Sequence, residues 1–74
     1  MIKVWENKLD NKYEVFVERK SPYNGELVIR EGEKELLREA VTISYNAPFG
    51  PDAGDVQIWQ DRCCEFIDKL STTN

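Results

Sequence analysis

The most reactive side chains in this sequence are two adjacent thiols, Cys63 and Cys64. A nucleophilic or redox cysteine needs a nearby cation or a helix N-terminus to stabilise its thiolate. Both thiols fall well inside a helix-patterned stretch rich in acids, with only Arg62 and Lys69 as close cations. The chain has no histidine, which excludes Cys–His and Ser–His nucleophilic pairs. Two cysteines without histidine do not make an ordinary zinc site either. Neighbours on a helix point about 100° apart, so the pair closes no structural loop. Inert thiols are expected, Cys63 within the apolar stripe and Cys64 on its flank. Unbridged cysteines fit a reducing compartment, and a cytoplasmic location is the expectation. The first ten residues carry Lys3, Glu6, Lys8 and Asp10 and no apolar run, so they read as neither a secretory signal nor a membrane span.

Carboxylates are the next candidates. Glu31, Glu33 and Glu35 are closely spaced, as are Asp52 and Asp55. Acid–base catalysis needs a desolvated carboxyl in a cleft, and a chain of 74 residues leaves little room for one. Solvated surface is the reading for the glutamates. The loop Asn46 to Asp55 is rich in glycine and proline and leads into a helix, a geometry that can hold an anion on free backbone N–H groups. Asp52 and Asp55 would repel phosphate there, and no lysine follows to make a P-loop. One of these aspartates is expected to cap the helix. A small-ligand or divalent-ion module, an accessory subunit using Asn46, Asp52 and Asp55, is the alternative reading of this loop.

Charge narrows the partners. Ten basic against fourteen acidic residues give a net charge of −4. Binding a phosphate backbone needs a concentrated basic surface, and the nearest block is only Arg19-Lys20 beside Glu18. Neither nucleic acid nor membrane is an expected partner, and no cofactor, metal or catalytic residue is assigned.

These residues must be positioned by few elements. Pro51 to Leu70 is the one long stretch with helical rhythm: Val56, Trp59, Cys63, Phe66, Ile67 and Leu70 recur at spacings of three and four and form one apolar stripe. Everything before it reads as short strands. Ile2 to Glu6 alternates, and the polar stretch Asn7 to Asn11 breaks it. Lys12 to Arg19 is the clearest strand, and Asn24-Gly25 supplies turn chemistry after it. Glu26 to Glu31 alternates again, and Glu31-Gly32-Glu33 reads as a hairpin turn. Lys34 to Tyr45 follows as a strand, with a bulge near Glu39 to rescue the parity. One helical turn over Glu33 to Arg38 competes with that reading, since those residues are good helix formers.

The expected fold is therefore α+β, one domain over residues 1–74. A four-stranded antiparallel β-meander carries one C-terminal α-helix on one face. That face is expected to hold Ile2, Val4, Tyr13, Val15, Val17, Leu27, Ile29, Val41, Ile43 and Tyr45. Trp5, Phe16 and Val28 fall on the opposite face, with Leu36 beside them, while Ile58 points away from the core on the helix. An exposed apolar patch on a small domain marks a contact with another chain. The competing reading is that long Lys and Glu stems cover these residues. The sequence thus points to a non-enzymatic protein-interaction or regulatory domain, acting through Trp5, Phe16, Val28 and Ile58 on a protein partner or on itself as a homodimer.

Overall fold

The computed structural model describes residues 2–44 and 51–72. Strands β1 (Ile2–Leu9), β2 (Tyr13–Ser21), β3 (Asn24–Glu31) and β4 (Lys34–Thr42) precede helix α1 (Ala53–Thr72). The strands form one open antiparallel sheet in the order β1-β2-β3-β4. The architecture is the expected α+β meander with its helix on one face. Tyr45, expected on the core face, lies outside the described residues.

Each turn has a local cause. Asp10 and Asn11 both take positive φ, 52° and 56°, and the Lys12 N–H donates to the Leu9 carbonyl at 3.1 Å. This is the primed turn whose twist suits a hairpin, and Asp and Asn tolerate it better than other non-glycine residues. The stretch from Asn7 therefore does not end β1, as its polarity suggested: Asn7 and Lys8 stay paired with Val15 and Glu14. Gly32, at φ 63°, makes the β3–β4 turn where expected. Asn24-Gly25 does not turn the chain. The turn is Pro22-Tyr23, and both Asn24 and Gly25 belong to β3. Gly25 is there for close approach: a Cβ would overlap the Glu18 carbonyl oxygen and sit 2.9 Å from Ile43 Cδ1.

Two bulges set the faces of the edge strands. In β1, Lys3 pairs with Glu18 and Trp5 with Val17, so Val4 is an extra residue. In β4, Leu37 pairs with Ile29 and Glu35 with Arg30, so Leu36 is extra. A bulge puts two successive side chains on one face, and both Val4-Trp5 and Leu36-Leu37 pack against the helix-side core. The β4 bulge was expected near Glu39 and lies at Leu36 instead; the helical turn over Glu33 to Arg38 does not form. Glu39 keeps its place on the helix side, where Arg62 of α1 meets it with Nε at 2.8 Å from Oε1. That ion pair removes the reason for a bulge at Glu39.

The core lies between sheet and helix. Val15, Val17, Leu27, Ile29 and Ile43 are sealed on the sheet, and Trp59, Cys63 and Ile67 on α1. Val56, Phe66 and Leu70 flank them, half-buried. Asp52 starts the helix: its Oδ2 accepts from the Gly54 N–H at 2.9 Å, and its carbonyl accepts from the Val56 N–H at 3.0 Å. Ile2, assigned to the core face, is 70% exposed, for it sits at the very end of the edge strand.

Trp59 is the largest of the fully enclosed side chains, so Trp59→Ala is expected to cost about 3–5 kcal/mol. Urea unfolding checks this, and an unchanged midpoint would mean that the helix face is not the core.

Candidate functional site

The sheet face away from α1 is built by strand alternation. Reading across the strands, one row is Lys8, Glu14, Arg30 and Glu35, with charge alternating at every step. The next row is Glu6, Phe16, Val28 and Arg38, and the next is Lys3, Glu18, Glu26 and Ala40. Phe16 and Val28 thus occupy the middle of a charged frame. They are 8% and 0% exposed, although among the described residues no helix covers them. Lys3 lies over the Phe16 ring with Nζ 4.6 Å from its centroid. Arg38, opposite Val28, reaches Glu26 at 2.7 Å and Glu35 at 2.8 Å. Lys20 reaches the same Glu26 oxygen at 3.0 Å. Long side chains whose heads are held by ion pairs lay their stems over the apolar centre.

The four apolar interaction candidates are therefore not brought together. Trp5 lies on the helix side, its ring centroid 5.9 Å from that of Trp59. Its assignment to the open face is corrected by the Val4 bulge, which reverses parity within β1. Leu36, placed beside the patch by parity, is turned to the helix side by the second bulge. Phe16 and Val28 share the open face but are roofed by charged stems. Only Ile58, on α1, is exposed, at 65%.

Ile58 has its own surroundings. It borders a hollow of about 320 Å³ with Val41, Thr42, Ser44, Asp55 and Trp59, between α1 and the end of β4. Asp55, one of these lining residues, is buried. Ser44 binds it twice, the N–H to Oδ2 at 2.7 Å and the hydroxyl to Oδ1 at 2.6 Å. Asp55 therefore fastens the first turn of the helix to the chain leaving β4, while Asp52 caps the helix. Among the loop candidates, Asn46 lies outside the described residues, and both aspartates spend oxygens on the protein's own donors. No group of three or more potential metal ligands occurs among the described residues.

The thiols divide as their helical phase requires. Cys63 is fully enclosed, and burial, followed by the neighbouring Cys64, pushes its pKa up to about 12; it stays a thiol at neutral pH. Cys64 is exposed, in a small hollow with Leu9, Asp10, Ile67 and Asp68.

Two polar contacts were missed by pattern reading, Ser44–Asp55 and Glu39–Arg62. The second left a trace, a carboxylate on the core parity of β4 facing a helix that carries an arginine on its flank. The first left none, because Ser44 and Asp55 are ordinary loop and cap residues. Among the described residues no helix is long and apolar enough to cross a membrane. The chain matches no family model, no curated protein and no solved structure.

The ion-pair frame gives a pH dependence of known sign. Lys20 first and then Arg38 hold the Glu26 carboxyl below its ordinary value of 4.5, and Arg38 does the same for Glu35. A carboxyl with a lowered folded pKa contributes stability that is complete above its unfolded pKa and is lost as pH falls through the folded one. Glu26→Gln is expected to be less stable than the wild type at neutral pH, the gap closing as pH drops below about 4.5. Urea unfolding across that range checks it; a gap that ignores pH would mean the frame contributes nothing through Glu26.

Proposed function

We propose that this protein is a non-catalytic protein-binding domain whose contact surface is the β4 edge together with the hollow beside Ile58. The observation that carries the reading is Ile58 itself, a large aliphatic side chain left 65% exposed beside Val41 of β4, where it borders a hollow rather than the end of a strand. A strand at a sheet edge offers a row of backbone donors and acceptors, and pairing with an added strand is a recurrent way to bind an extended segment. The apolar hollow next to that edge would receive side chains from such a partner. The open sheet face is a weaker candidate, since Phe16 and Val28 at its centre are already buried, with Lys3 lying over the Phe16 ring.

A photo-crosslinking residue in place of Ile58 is expected to capture another polypeptide, and the same residue in place of Lys8, on the far edge strand, is not. Equal capture at both positions, or none at Ile58, would overturn the proposal.

A further inference from the structure

We infer that the polypeptide taken up by the β4 edge is a second copy of this chain, paired antiparallel through β4 about a twofold axis between Leu36 and Leu37. The inference rests on the protein-binding reading above and names the partner. It comes from the charge order along Lys34-Glu35-Leu36-Leu37-Arg38-Glu39. Turned antiparallel against itself about its midpoint, this segment sets Leu36 opposite Leu37, Glu35 opposite Arg38 and Lys34 opposite Glu39, each contact made twice. Opposite charges directly across an antiparallel pair are favourable and like charges are not.

The faces agree with that register only because of the bulge. In a strand of strict alternation, Leu36 and Leu37 would point to opposite faces and could not meet. Here both pack on the helix side. Glu35 and Arg38 both stand on the open face, opposite Arg30 and Val28. Lys34 pairs with Glu31 and Glu39 with Leu27, on the helix side. Sliding the copies by two residues sets Lys34 against Leu37 or Leu36 against Glu39, and brings side chains of opposite faces together at the bulge. One register satisfies charge and face at once.

The other edge is not equivalent. β1 carries the same kind of bulge and a Lys3–Glu6 pair across it, but its next pair would set Ile2 against Asn7. The ion pairs that Glu35 and Arg38 make within one chain are 38–43% exposed. Such pairs contribute little by themselves, so they can be shared with a second copy at small cost. Pairing also covers the half-buried Leu36 and Leu37 and closes an unpaired edge, which an isolated sheet leaves open to aggregation. Val41 would then face the partner's β3–β4 turn, next to the hollow at Ile58.

Sedimentation of the full chain tests this with two charge reversals, Glu35→Arg and Arg38→Glu. The wild type is expected to dimerise with rising concentration. Each variant alone opposes like charges twice, and its self-association is expected to weaken by about tenfold or more. An equimolar mixture of the two variants restores opposite charges at both contacts and is expected to recover the dimer, although the pair within each chain is still broken. That recovery separates pairing between copies from any loss of fold. A wild type that stays monomeric, or a dimer untouched by both reversals, would overturn the inference. If the wild type is monomeric while a residue at Ile58 still crosslinks to a different protein, the binding reading stands and the second copy falls.

Discussion

A single-layer sheet has two faces to keep from water, and the described residues supply one long helix with which to do it. On the helix side the solution is ordinary close packing. Trp59, Cys63 and Ile67 fill the space above Val15, Val17, Leu27 and Ile29, and Asp55 and Arg62 fasten the helix to the chain just past β4 and to the middle of β4. On the other side nothing of that kind is available, and the chain uses its charged residues instead. Lys3 lies over Phe16 and Arg38 stands next to Val28 across the sheet, their heads held by Glu6 on one side and by Glu26 and Glu35 on the other. The same residues thus carry the charge of this face and serve as its apolar cover. A domain this small is marginal in the surface it can bury, so a face closed by stems extends the core without adding an element.

The bulges make that cover possible. Inserting one residue shifts parity, so that residues three apart in an edge strand become neighbours on the far side of the bulge. Lys3 and Glu6 are brought together this way across Val4-Trp5, and Glu35 and Arg38 across Leu36-Leu37. In both edge strands the apolar doublet goes under the helix and the opposite charges meet on the open face. A bulge commonly blunts an edge against unwanted pairing. In β4 it also leaves a charge order that reads as its own complement, which the equivalent stretch of β1 lacks.

Much of this was legible in the residues. The helix and its stripe follow from spacing alone, and so do β2 and β3, because their alternation is regular as far as the shift between Arg19 and Ser21. What failed did so at the bulges. Periodicity assumes a constant step, so an extra Val4 moved Trp5 to the wrong face, and the bulge in β4 was sought at Glu39 because Arg62 could not be seen as its partner. Asn24-Gly25 misled for another reason: glycine serves both turns and close approach, and only the nearness of Glu18 and Ile43 decides between them. The apolar patch inferred for the open face gave way to the competing reading, charged stems over apolar residues, which the order of residues offers but cannot decide. Ile58 was identified by its phase on the helix, and the structure leaves it exposed.

The claim on which the account turns is that charged stems, without any helix, bury the middle of the open face. Phe16→Ala, followed by urea unfolding, measures it most directly. A ring enclosed as the structure has it is expected to cost about 2 kcal/mol or more on truncation, a loss of the core kind. A change within about 0.5 kcal/mol, as for an ordinary surface position, would mean the stems do not seal that face.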